Sequence, residues 1–201
     1  NNGAAPPDLR TILFAREGAR VAVADRNIES AQATVQLAKN GAVAIQTNVA
    51  VPGEITSMVA DATSKLGGLD VLVYNVGIGA GMWFEGSTPE IWDRVFAVNL
   101  RGAMLTLQAA LPVLADGSSI VLISSIASMK AGSRMPSYDA SKAALGGLMR
   151  HAGIEGERRG IRVNIVAPGL MDTSIGRAAT AGRPGRAKTP VPLGRQGTGW
   201  E

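Results

Sequence analysis

Tyr138 and Lys142 stand four residues apart in a run of helix-forming residues, so both project from one helical face. A free phenol titrates at about 10 and is a poor base at neutral pH. An ammonium held beside a phenol favours the phenolate and brings such a group toward working range. Upstream, the apolar run Ile120-Val121-Leu122-Ile123 predicts a buried strand ending at Ser124-Ser125. Open α/β sheets place their chemistry just past the carboxyl ends of such strands. A serine hydroxyl there could hold a substrate oxygen while the tyrosine exchanges its proton. Alone, the pair is also what a helix shows when a Tyr packs on the core and a Lys is solvated. The Ser-Ser turn before it and the Pro168-Gly169 turn after a later strand favour the chemical reading.

Positioning these groups requires a scaffold, and the rest of the chain alternates strand and helix. Strands are predicted at 20–24, 43–47, 70–74, 119–124 and 162–167. Between them lie helices over 11–17, 28–40 and 54–66, a long one from Pro89 and another through Tyr138 to about Glu157. Gly18 and Gly41 stop the first two, and Thr88-Pro89 starts the fourth as N-cap and first helical residue. This order predicts an α/β fold with a doubly wound, Rossmann-like parallel sheet in a single domain over 1–201, its crossovers right-handed. The helix from Pro89 carries Trp92, Val95, Phe96, Asn99, Leu100 and Leu107, and a polar Asn99 among apolar neighbours needs partners.

Composition excludes several classes. The chain has no cysteine, hence no disulfide framework or thiolate chemistry, which fits a reducing, cytoplasmic setting. No run of eighteen apolar residues occurs, and no secretory leader or membrane association is expected. Residues 1–173 balance in charge; the net +4 comes from Arg177, Arg183, Arg186, Lys188 and Arg195 set against Glu201. A basic tail with Trp200 as its one aromatic gives no nucleic-acid-binding face. His151 is the single histidine and reads as structural, and no metal-ligand cluster is present in the sequence.

The stretch from Ser124 to Ala144 resembles the short-chain dehydrogenase/reductase family, whose pattern is a catalytic Ser followed by Tyr-x-x-x-Lys. The resemblance implies that Ser125, thirteen residues before Tyr138, positions the substrate oxygen. Tyr138 then acts as general acid/base, Lys142 lowers its pKa and touches the nicotinamide ribose, and Asn99 bends its helix and supports the proton relay. It also implies cofactor contacts at Gly3, Asn48, Val49, Asn75, Gly77, Tyr138, Lys142, Pro168, Gly169 and Thr173. Asn75-Val76-Gly77 is similar to the family's Asn-Asn-Ala-Gly, with Tyr74 and Val76 as departures, and Asn48 stands where Asp is usual. Asp25, twenty-two residues after Gly3, suits the adenosine ribose hydroxyls, a helix N-cap, or both. NAD is therefore expected over NADP, with Arg26 softening the preference.

At the phosphate turn, Pro6, Pro7 and Asp8 stand where the family's second and third glycines belong. Proline offers no N–H to a pyrophosphate and an aspartate repels it; equally, Pro6-Pro7-Asp8 could simply start the helix. The first and last strands of the family pattern are expected to be missing, leaving unpaired edges and an apolar groove. Met82, Trp83 and Phe84 are expected either to line an apolar pocket or to cover the flank of the next helix. Residues 174–201 are expected to form a substrate lid or a solvated basic segment. The expected activity is hydride transfer between NAD(H) and a secondary alcohol or ketone, by a homodimer or homotetramer. The alternative is a catalytically impaired scaffold acting through protein interaction.

Overall fold

The computed structural model describes residues 9–130, 132–181, 185 and 191–199. Along them α1 (Leu9–Arg16), β1 (Ala22–Asp25), α2 (Ile28–Ala38), β2 (Val43–Gln46), α3 (Pro52–Leu66) and β3 (Leu69–Tyr74) alternate. Next come α4 (Pro89–Phe96), a π-helical turn at Ala97–Arg101, α5 (Gly102–Ala110), β4 (Leu114–Ile123), α6 (Pro136–Gly156) and β5 (Arg162–Val166). Beyond these lie β6 (Met171–Asp172), α7 (Ser174–Ala181) and β7 (Gly197–Thr198). Local chemistry sets the helix starts. Asn27 caps α2 by accepting from the Ser30 amide at 2.9 Å, and Thr88 caps α4. Pro52, Pro89 and Pro136 open α3, α4 and α6, where a missing N–H leaves no intrahelical bond unmade.

β3, β4 and β5 pair in that order and all run parallel, with Val71 opposite Ser119 and Ser119 opposite Arg162. Their carboxyl ends therefore share one edge. There the Ser124 amide donates to the Val166 carbonyl (2.8 Å) and the Ile126 amide to the Pro168 carbonyl (2.9 Å), which ties the turn after β4 to the turn after β5. β1 and β2 pair in parallel as a separate piece, from Ala22–Val43 to Asp25–Gln46. The five strands expected from the sequence are all present and parallel, in two hydrogen-bonded pieces among the described residues, and α3 packs against both. Exposed Ala24 and Asp25 on β1 and half-exposed Val71 on β3 mark edges that no described strand covers.

Two apolar clusters match this division. The larger joins α3, β3, α5, β4, α6 and β5 through Val59, Tyr74, Leu107, Ile120, Leu122 and Leu145, among others. Each fully buried Leu or Ile there contributes roughly 1.5–3 kcal/mol. The smaller holds Ile12, Ala15 and Ala38, with Leu9, Val21 and Ala42 packed on it.

The bend that the resemblance implies at Asn99 takes the form of a π turn, Ala97–Arg101, within the helix from Pro89. The strand expected at 119–124 starts at Leu114 and its pairing shifts register between Leu69 and Val71. Arg159 pins that extension, donating to the Leu111 (2.7 Å) and Leu114 carbonyls and pairing with Asp116 at 2.8 Å. After Thr173 the described residues include α7 and β7, and β7 pairs in parallel with β6. Gly3, Pro6, Pro7 and Asp8 lie outside the described residues. No described helix is long and apolar enough to cross a membrane.

Candidate active site

Helix α6 carries Tyr138 and Lys142 one turn apart, and the chain leaving β3 runs along the same helix. Lys142 is only 4% exposed, and its Nζ donates to the Ile123 carbonyl at 2.8 Å and the Val76 carbonyl at 3.2 Å. The first of these carbonyls ends β4 and the second comes just after β3, so one ammonium joins the carboxyl ends of two strands. A Cβ on Gly77 would lie 3.0 Å from Lys142 Nζ, so a side chain there would crowd the ammonium and glycine lets the backbone approach it closely. Further along, a Cβ on Gly79 would meet Met135 Sδ at 2.8 Å and Tyr138 Cδ2 at 3.5 Å, which puts the loop against the tyrosine ring edge. Lys142 Nζ lies 6.0 Å from the centroid of that ring. Burial pushes the Lys142 ammonium down to about 8, because a low-dielectric surrounding disfavours the charged form.

Asn99 is fully buried, and the partners that its setting demands are present. Its Nδ2 donates to the Ile78 carbonyl and to Ser141 Oγ, both at 2.9 Å, and its Oδ1 accepts from the Ile78 amide at 2.8 Å. Ser141 in turn donates to the Tyr138 carbonyl at 2.8 Å. The asparagine therefore clamps the loop after β3 to the first turns of α6 and supports the backbone that carries Tyr138. Ser124 points the other way and donates to the Lys142 carbonyl at 2.8 Å. Ser125 sits half-buried just beyond β4, where its Oγ accepts from the Ala127 amide at 3.2 Å. That contact uses the oxygen and leaves the hydroxyl proton for another acceptor.

The other candidates lie along the same carboxyl edge or at the ends of β1 and β2. Asn75 and Gly169 flank that edge, and the Pro168 carbonyl there accepts the Ile126 amide. Thr173 precedes α7, and its hydroxyl accepts from the Gly176 amide at 3.1 Å. Asp25 ends β1 and accepts from the Asn27 amide at 2.9 Å; Asn27, not Asp25, caps α2. Asn48 Oδ1 accepts from the Ala50 amide at 3.0 Å, while Glu54 accepts from the Asn48 amide at 2.7 Å. Val49 backs onto α5 at Gly102, where a Cβ would lie 3.0 Å from the Val49 carbonyl oxygen. Arg26, Asn27, Glu29, Gln46, Asn48 and Glu54 line an open cleft of about 780 Å³. This polar cleft at strand ends, with an exposed carboxylate beside it, fits the ribose and adenine of a dinucleotide.

Two groups escaped the sequence reading. Ser141 is one, although its place three residues after Tyr138 on one helical face was a usable signal. The other is the Trp83–Arg134 pair. The Trp83 amide donates to the Arg134 carbonyl at 2.8 Å, and the guanidinium sits 5.4 Å from the indole centroid. Both residues are left-handed, at φ +57° and +62°, which costs about 1 kcal/mol or more each. Phe84, 84% exposed, and Trp83 project from this loop rather than covering the next helix. His151 is exposed, as its structural reading allows, and no cluster of metal-ligating side chains occurs among the described residues.

The sequence profile of the family described as enoyl-(acyl carrier protein) reductase matches residues 11–201. A sorbitol dehydrogenase of Cereibacter sphaeroides is 35% identical over 162 residues, covering 79% of this chain and 63% of that protein. A 3-oxoacyl-[acyl-carrier-protein] reductase of Rattus norvegicus is 33% identical over 190 residues, covering 94% of this chain and 79% of the relative. The chain spans 61–63% of the length of several other curated relatives that it matches. Among solved structures, a dehydrogenase/reductase from Sinorhizobium meliloti superposes with a TM-score of 0.85 at 33% identity, covering 94% of this chain and 78% of its own. The likeness takes in the elements that carry Tyr138, Lys142 and Asn99, and the chain belongs to the short-chain dehydrogenase/reductase family.

Proposed function

We propose that this chain is an oxidoreductase that interconverts a secondary alcohol and a ketone using a nicotinamide dinucleotide, with NAD preferred over NADP. The observation that carries this reading is the Tyr138–Lys142 ladder, pressed by Gly77 and Gly79 against the loop at the carboxyl end of β3. Asp25 and the cleft beside Arg26 and Asn48 would hold the adenosine end. Asn75, Gly77, Lys142, Pro168, Gly169 and Thr173 would hold the nicotinamide end. When bound, the nicotinamide supplies the hydride acceptor or donor.

The chain's own work is proton handling and orientation. Ser125 offers its hydroxyl proton to the substrate oxygen and so fixes the face presented. Tyr138 takes the proton from an alcohol, or gives one to a ketone, at its Oη. Lys142 holds positive charge near that oxygen, which favours the phenolate. Its depressed value means that the charge fades above about pH 8, and turnover should fall with it on the alkaline side. Asn99 and Ser141 keep the turn of α6 bearing Tyr138 in register with the loop.

A second reading, a scaffold that no longer turns over, is favoured by one observation: Lys142 is already bonded to two backbone carbonyls. An NADH titration followed by nicotinamide fluorescence, with NADPH alongside, separates the two. Saturable NADH binding weakened by Asp25→Ala supports the enzyme. A polyol and 3-oxoacyl panel, the chemistry named for the two relatives, is then run with Tyr138→Phe as control. A folded chain that binds neither nucleotide is the scaffold.

A further inference from the structure

We infer that Tyr74 is a positioning residue, whose hydroxyl holds open the π-helical turn that aims Asn99 at the loop and at α6. Tyr74 departs from the family pattern at the end of β3, and it is 3% exposed within the main apolar cluster. Packing alone would be served by phenylalanine, since a buried phenol is costly unless its hydroxyl is bonded. Here the Oη donates to the Val98 carbonyl at 2.6 Å. Val98 lies inside the π turn, one residue before Asn99.

In a regular α-helix the Val98 carbonyl would receive the Gly102 amide, four residues on. In this helix the Gly102 amide donates instead to Ala97, five residues back. The Val98 carbonyl has lost its α-helical donor, and the tyrosine hydroxyl supplies one. Residue 102 must be small for this to work: a Cβ there would lie 2.6 Å from Tyr74 Oη. One extra residue in a turn rotates the helix before it by about 100° relative to the helix beyond it. That rotation brings Asn99 to a buried position where its Oδ1 and Nδ2 reach Ile78 and Ser141. The chain of contacts thus runs from Tyr74 through Val98 and Asn99 to the backbone of Tyr138. Burial also keeps the Tyr74 phenol protonated, well above its ordinary value, so the donor is constant across the working pH range.

The kinetic half of this inference rests on the oxidoreductase reading; the structural half does not, and the test has a readout for each. Tyr74→Phe keeps the ring and removes the donor. Amide hydrogen exchange should then quicken at Ile78, the donor to Asn99 Oδ1, by about tenfold or more, while the strand amides of Leu72 and Ile120 stay within about twofold. Under NADH-dependent ketone reduction, kcat should fall by about tenfold with the KM for NADH unchanged, and the alkaline limb of the kcat–pH profile should move. Gly102→Ala, which drives a methyl into the same hydroxyl, should give the same pattern and serves if the first variant does not fold. Unchanged exchange at Ile78, or a rise shared equally by the strand amides, overturns the inference, since Tyr74 would then be ordinary core. Faster exchange at Ile78 with an unmoved kcat and pH profile overturns its kinetic half. If the unaltered chain turns nothing over, the oxidoreductase reading falls while the exchange result still decides the role of Tyr74.

Discussion

Around α6 the polar side chains are buried and bonded to residues distant in sequence, Asn99 to Ile78 and Ser141, Lys142 to Val76 and Ile123. At the ends of β1 and β2 they are exposed and mostly bonded to near neighbours, Asp25 to Asn27, Asn48 to Ala50 and Glu54 to Asn48. The first arrangement is pre-organised: these donors have fixed acceptors, and removing one strands the others away from water. The second is adjustable, because solvent can replace any contact that a substitution removes. If the chain is the proposed oxidoreductase, its proton-handling end is held rigid by the fold and its adenosine end is left open to tuning.

The comparison is broken most directly at Tyr138. Tyr138→Phe should lower turnover by at least about 100-fold and leave NADH affinity within about twofold, measured by steady-state kinetics and fluorescence titration. Joint loss of affinity and turnover would mean that the two ends are not separable. Next in size, Asn99→Ala removes three buried bonds and should cost about 3 kcal/mol of stability by urea unfolding. A cost below about 1 kcal/mol would show that water reaches this end as well.

The third prediction concerns pH. Lys142 titrates at about 8 in the folded chain, below the unfolded value of about 10.4, so between these values the unfolded state holds the extra proton. Stability therefore rises from pH 8 toward pH 10, by up to about 2–3 kcal/mol, and below pH 8 the full cost of the buried charge is present. Thermal unfolding across that window should show the slope, and Lys142→Met should flatten it. The smallest effect is expected at the open end. Asp25→Ala should weaken NADH about tenfold, or about 1.4 kcal/mol, with no change in melting temperature, and Arg26→Ala should reduce whatever affinity NADPH retains.

The legible parts of this molecule were those written in spacing. The interval from Tyr138 to Lys142 is one helical turn, and the apolar runs before Asn75 and Ser124 are strands, paired in parallel. Asn99 was flagged by its polarity among Val95, Phe96 and Leu100, though its partners were not, because backbone groups such as those of Ile78 leave no mark in composition. The resemblance implies a bend at Asn99, but its form as a π turn is not legible, because Ala97–Leu107 reads as continuous helix and the perturbing hydroxyl comes from Tyr74, on another element. Two-residue strands such as Met171–Asp172 are too short to carry a period. The left-handed Trp83 and Arg134 went unseen because neither residue type signals that conformation.

The division into two apolar clusters bears on how this protein comes apart. A group of three buried residues around Ile12 cannot match the cohesion of the cluster around Ile120 and Leu122, so heating should loosen α1, α2, β1 and β2 first. A dinucleotide lying across both would act as a staple, adding stability that grows with the logarithm of its concentration. Its arrival would then be visible as two melting steps drawing together into one.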